Sequence, residues 1–305
     1  MERTGVDSPI RKASKSDFLR SITRRTPPSE WKRNGNRADK LALQRDMLRL
    51  QSSLKAEAMG VLPRAFRGVL EDQIAVFTQS ALRAGNRVGV GRKSNKASEW
   101  TADEIALGTL MLQAASREAF GTAVALKNMA RPTFQSLIDR AYSRSRFLLG
   151  EADGLVNPRL AVRNEAILKK LNDVQLSTKA MADFRIGMAI DSGLFANAAW
   201  GDAVAAVTAL ITQWVKSASR LNTFGRTEAY RAVDEGLKQA VKISQSLTHM
   251  SVVGCRAVEP NIPTYRGEPT CNIENVPIQD VDSVQFHVNH TGAWFPSRFA
   301  IQSGD

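Results

Sequence analysis

Cysteine, histidine and tyrosine are scarce in this chain: two, three and three among 305 residues. Two cysteines, Cys255 and Cys271, cannot build the disulfide framework of a small secreted scaffold, so a reducing, intracellular assembly site is the expectation. Long apolar runs are missing too. Without about 18 uninterrupted apolar residues, nothing reads as a membrane span. The opening Met1-Glu2-Arg3-Thr4-Gly5-Val6-Asp7 is polar and lacks the apolar centre of a signal peptide. The expectation is a chain neither exported by a classical route nor integral to a membrane. No serine-hydrolase, dinucleotide or kinase constellation is visible. Gly91-Arg92-Lys93-Ser94 lacks the spacing of a phosphate-binding loop and follows no clear buried strand. It reads as a basic, glycine-rich loop that touches phosphates nonspecifically.

Acid is the scarcer charge. Thirty Asp and Glu face 42 Lys and Arg, a net charge of +12. Such an excess attracts a polyanion: nucleic acid, an anionic membrane surface or an acidic protein face. What the chain has in quantity is apolar surface. At 43% apolar and 24% charged it can bury a core in one large domain or two ordinary ones.

Residues 1–40 read as a basic arm. Eleven Lys and Arg against five acids place half of the net charge there, Pro27-Pro28 breaks any helix, and apolar residues are too sparse to pack. Arg11, Lys12, Lys15, Arg24 and Arg25 are its candidates for phosphate contact. Arg92 and Lys93 of the glycine-rich loop join them, as do Arg140 and Arg144 on a helical polar face.

The rest of the pattern is mainly helical. Leu43, Met47, Leu50, Leu54 and Ala58 form one stripe that Gly60 and Pro63 are expected to end. A second helix is expected over Ala65–Leu82. Thr101-Ala102-Asp103-Glu104 is a capping box, opening a helix that runs towards Leu126. Pro132 is read as starting another, which Gly150 closes. Helices are then expected over Leu160–Leu171 and near Thr178–Ile190. From Asp202, Val204, Val207, Ile211, Trp214 and Ala218 form a helix–helix seam. Phe224–Leu247 carries the small-residue face Ala229, Val233, Gly236, Ala240 and Ser244. After His249, itself read as a helix C-terminal residue, β-branched residues point to strands at Ser251–Val258 and Val284–Phe286. The expected fold is therefore mainly α, a helical body with a small C-terminal β/loop module. Its divisions are 1–40, 41–150, 151–248 and 249–305.

Two motifs carry functional content. Arg226-Thr227-Glu228 opens a charged stretch that continues through Arg231, Asp234, Glu235 and Lys238, with Gly236 among the small residues. Helix-spaced pairs such as Glu228–Arg231 allow a solvated face; alternatively Arg226 and Glu228 tie the helix to the C-terminal module. Downstream, Cys255, Cys271, His287, Asn289 and His290 form a compact Cys/His cluster. Cys271, His287 and His290, with Cys255 as a fourth, offer zinc-ligand types. The alternatives are a core cysteine beside hydrogen-bonded histidines, or a nuclease-like site in which a histidine activates water on a metal-bound phosphate.

The order of a helix-rich body, an Arg-Thr-Glu helix and a Cys/His module resembles the Mu F-like minor head proteins, the head-morphogenesis family of tailed bacteriophages. The resemblance covers roughly residues 178–299. Thr270-Cys271 and Phe286-His287-Val288-Asn289 stand for the family's Thr-Cys and His-Pro-Asn segments. This chain has Glu274 where a second Cys is common, Val288 for the Pro, and His290 for the closing Cys. Because Glu274 replaces a thiolate, the expectation is no stoichiometric zinc and no cofactor. The resemblance implies a nonenzymatic component of the virion, in the capsid interior or at the portal vertex, assembled in the host cytoplasm. Its implied partners are portal or capsid proteins and packaged double-stranded DNA, with several copies per virion. A DNA-processing enzyme injected with the genome and a free nucleic-acid-binding protein are the alternatives.

Overall fold

A computed structural model describes residues 37–88, 100–151, 159–195, 198–215, 217–255, 262–287 and 290–300. Its first helix, α1 (Arg37–Arg87), is 51 residues long and passes straight through Gly60 and Pro63. The expected break fails because the buried stripe does not stop. Leu54, Ala58, Leu62, Phe66, Leu70, Ile74 and Phe77 are all buried at three- or four-residue intervals. Proline inside a helix costs about 3 kcal/mol, and packing on both sides of Pro63 offsets it. Phe66 stacks on Phe224 with ring centres 3.9 Å apart. Gly225 leaves room for the proline ring, since a Cβ there would lie 2.6 Å from Pro63 Cγ.

Helix α2 (Ala102–Phe120) starts at the expected capping box: Glu104 N–H donates to Thr101 Oγ1, and Thr101 N–H donates to the Glu104 carboxylate. It stops at Gly121 rather than near Leu126. Helix α3 (Val124–Leu148) holds Pro132 in its interior, not at its start. Again the stripe decides, with Leu126, Ala130, Phe134, Leu137 and Ile138 buried across the proline. Gly150, at φ 69°, closes the helix as read from the sequence. Helix α4 (Arg159–Asp191) is one rod of 33 residues where two helices were expected. The missing links are polar. Gln175 and Thr178 occupy the stripe between Leu171 and Ala182, and Gln175 bonds to Gln73 at 3.2 Å and to the Phe120 carbonyl at 3.0 Å.

Helices α5 (Trp200–Val215) and α6 (Ala218–Lys242) complete the body. The seam of α5 is found at Val204, Val207 and Ile211, all buried, with Trp214 partly buried; Ala218, expected on the same helix, opens α6 instead. The small face of α6 lets it press on α3: a Cβ at Gly236 would lie 2.2 Å from the Ile138 carbonyl oxygen. Helix α6 ends five residues before Leu247, where the first strand begins.

The C-terminal module is built on a three-stranded antiparallel sheet in the order β4 (Val276–Pro277), β1 (Leu247–Val253), β5 (Ala293–Phe299). A hairpin of β2 (Thr264–Tyr265) and β3 (Glu268–Pro269) sits beside it, turning through Arg266 and Gly267, both at positive φ. Strand β1 begins four residues upstream of the expected segment, whose residues 256–258 lie outside the described residues, so His249 lies in a strand rather than at a helix end. Val284–Phe286 is not a strand; the aromatic tail is. That tail gains its place from α1. Gln51 donates to the Trp294 carbonyl at 2.6 Å and accepts from the Trp294 N–H at 3.0 Å, as a neighbouring strand would. Gln44 donates to the Pro296 carbonyl at 2.6 Å, and Lys55 to that of Gly292 at 3.0 Å. The outer edge of β5 is thus satisfied by helix side chains. One apolar cluster runs unbroken from Leu43 in α1 to Trp294 in β5.

Candidate functional site

Cys255 follows β1, Cys271 lies in the short 3-10 turn Thr270–Asn272, and His287 and His290 lie in the segment that leads into β5. The fold brings all four together. Their donor atoms lie within 4.8 Å of one another. Cys271 Sγ is 2.9 Å and Cys255 Sγ 3.3 Å from the same nitrogen, His287 Nε2. The cysteines are not joined as a disulfide. The His290 ring meets that of His287 edge-on at 5.5 Å and stacks on Phe286 at 3.8 Å.

His290 is 4% exposed, yet neither ring nitrogen has a hydrogen-bond partner among the described residues. Buried polar atoms are rarely left so. Burial, then the charge of Lys55, pushes its pKa down to about 3, which keeps the imidazole neutral. Gly292 holds the ring in place: a Cβ there would lie 2.6 Å from His290 Cε1 and 2.9 Å from Val252 Cγ1. A closer neighbour on that side would displace the imidazole.

Two thiols and two imidazoles are the donor set of a four-coordinate structural zinc site. Glu274, whose presence motivated the expectation of no metal, is exposed and outside the cluster. The fourth donor comes from Cys255, sixteen positions before Cys271, a spacing that no Cys-x-x-Cys pattern reveals. Asn289 lies outside the described residues. The close Cys271–His287 contact has the elements of an activated nucleophile, but Cys271 is 6% exposed. A cleft of about 550 Å³ runs between the module, α4 and α6; it is lined by His287 and His290 and by neither thiol.

That cleft is charged by both signs, and its charges are largely matched. Asp282 accepts from Arg163 at 2.6 Å and from Lys242 at 2.5 Å. Burial works to raise the Asp282 pKa, but the Lys242 hydrogen bond and Arg163 outweigh it and hold the carboxyl below its usual range. Lys55 Nζ lies 3.2 Å from buried Asp234 and 4.2 Å from the Tyr230 ring centre. Lys238 donates to the Val284 carbonyl at 3.4 Å. Lys170 also faces the cleft; burial, reinforced by Arg231, lowers its pKa.

These contacts correct the reading of the Arg-Thr-Glu helix. Arg226 is exposed, whereas Thr227 and Glu228 are buried. Glu228 faces away from the module into a second cleft bounded by Phe66 and Trp214, and pairs with Arg231 at 2.6 Å. Burial raises its pKa against the pull of Arg231 and Lys170. The solvated face is therefore wrong for Glu228, and no contact ties Arg226 or Glu228 to the described residues of the module. The module docks through the last turns of α6, by Lys238 and Lys242, and through Gln44, Gln51 and Lys55 of α1, with Asp234 pairing Lys55. Sequence reasoning missed the α1 group. Its signal is a pair of polar residues, Gln51 and Lys55, at i,i+4 beside an apolar stripe.

Of the phosphate-contact residues, Arg144 is exposed. Arg140 is bound in a two-pronged ion pair with Glu57 at 2.6 and 2.7 Å, so its charge is matched within the protein. Arg11, Lys12, Lys15, Arg24, Arg25, Arg92 and Lys93 lie outside the described residues. No helix among the described residues is long and apolar enough to cross a membrane. Comparison with family models, with curated proteins and with solved structures returns no match.

Proposed function

We propose that this protein is a nonenzymatic minor head component of a tailed bacteriophage, acting in head morphogenesis near the portal and contacting packaged DNA without sequence preference. The observation that carries the reading is that the helix bearing Arg-Thr-Glu packs against the Cys/His module. The two elements, separate in sequence, meet through Lys238 and Lys242, further along α6 than Arg226 and Glu228. The +12 charge, half of it within residues 1–40, fits a surface that meets DNA. In the cleft the carboxylates Asp234, Glu235 and Asp282 are each paired with lysine or arginine, which fits a structural role. Mass spectrometry of purified particles tests the proposal. The chain is expected among virion proteins at low copy number. Its absence from particles, together with divalent-metal-dependent cleavage of DNA by the purified protein, would establish the enzyme reading instead.

A further inference from the structure

We infer that Cys255, Cys271, His287 and His290 bind one zinc ion that staples the C-terminal module shut. The inference stands on the geometry of the cluster and holds whether or not the protein belongs to a virion. Tetrahedral zinc, with Zn–S near 2.3 Å and Zn–N near 2.0–2.1 Å, needs donors roughly 3.3–3.8 Å apart. The four donors, all within 4.8 Å, already approach that spacing, and two of the separations are 2.9 and 3.3 Å. Small shifts of side chains close the rest.

Three independent features single out a metal rather than a knot of hydrogen bonds. His290 is buried with both ring nitrogens unbonded among the described residues, and coordination would satisfy one of them. Both sulfurs converge on one nitrogen of His287, as ligands of a single ion do. The environment also suits the charge. Two thiolates neutralise a divalent cation, so the complete site is uncharged and tolerates burial. The donors are soft and borderline ligands, and no position is left open, which is the pattern of a structural zinc site rather than a catalytic one. The ion would join the end of β1, the turn at Cys271 and the lead into β5, closing the loops between them.

The test uses the full chain, purified under reducing conditions without chelators or a histidine tag. Elemental analysis is expected to find about one zinc per chain. Cys255→Ser and His290→Ala should each weaken zinc binding at least about tenfold in competition with a chromophoric chelator, whereas Glu274→Gln should leave it unchanged. Should the variants fail to fold, cobalt titration of the zinc-free wild type decides. A thiolate-to-cobalt charge-transfer band with intense d–d absorption reports a tetrahedral sulfur-bearing site. Zinc removal should also expose the segment after Met250 to protease while leaving the helices resistant. Less than about a tenth of a zinc per chain, with a weak six-coordinate cobalt spectrum, overturns the inference. So does a stable Cys255–Cys271 disulfide that forms in place of metal binding, or a Glu274→Gln loss equal to that of Cys255→Ser.

Discussion

Lys55→Met removes the cation that joins three parts of the molecule. Lys55 is 4% exposed, lies 3.2 Å from Asp234, donates to the Gly292 carbonyl at 3.0 Å and rests on the Tyr230 ring. Methionine preserves the length of the side chain, so little packing is lost. What remains is a buried carboxylate without its nearest cation and a carbonyl without its donor. Breaking one side of a buried ion pair costs about 3–5 kcal/mol. The sign of the pH dependence follows from Asp234. Burial raises its pKa, and Lys55 is the largest opposing influence; the substitution therefore raises it further. Between the ordinary aspartate pKa and the raised one, the folded variant holds a proton that the unfolded chain has released. Stability contributed by that protonation is complete below the unfolded pKa and is lost as pH rises through the folded one. The deficit of Lys55→Met should thus be smallest near pH 4–5 and largest at pH 7–8, measured as the shift in urea midpoint at each pH. Adding Asp234→Asn should recover at least about 1 kcal/mol at pH 7, since removing both charges is far less costly than removing one. A Lys55→Met deficit under about 0.5 kcal/mol at pH 7, or one that does not change with pH, would refute the reasoning.

Gly236→Ala gains about 1 kcal/mol of helix propensity but drives a methyl to 2.2 Å from the Ile138 carbonyl, so net destabilisation of about 1–3 kcal/mol is expected by urea denaturation. Arg226→Ala should change stability by less than about 0.5 kcal/mol, because the side chain is exposed and the module docks elsewhere; limited proteolysis after Met250 should match wild type. Asp282→Asn should cost about 1–2 kcal/mol at pH 7, since Asp282 accepts from both Arg163 and Lys242. Its depressed pKa means that this stability is present above the ordinary aspartate pKa and is lost as pH falls through the folded one. The difference between wild type and variant should therefore vanish in acid, as read from thermal melts across pH 2–7.

Local chemistry determined whatever a few neighbouring residues decide. The capping box at Thr101, the closure at Gly150, the seam of α5 from Val204 to Ile211 and the small face around Gly236 are each set by residues within one or two turns, and each is where the sequence placed it. The same holds for the change from helical to β-branched pattern after α6, and so for the fold class. The breaks expected at Gly60-Pro63, before Pro132 and between Leu171 and Thr178 were also local readings, and they failed. A helix breaker costs a few kcal/mol, whereas a continuous buried stripe is stabilised by partners on other helices, such as Phe224 against Phe66 and Gln73 against Gln175. Those partners lie far away in the chain, and no local window contains them. The candidate site divides the same way. The residue types of the cluster were legible at Cys255, Cys271, His287 and His290. Their convergence, the inward turn of Glu228 with Arg226 left in solvent, and the bridging of β5 by Gln51 and Lys55 were decided only in three dimensions. Distances between segments depend on how whole helices pack, and that packing is a property of the complete core.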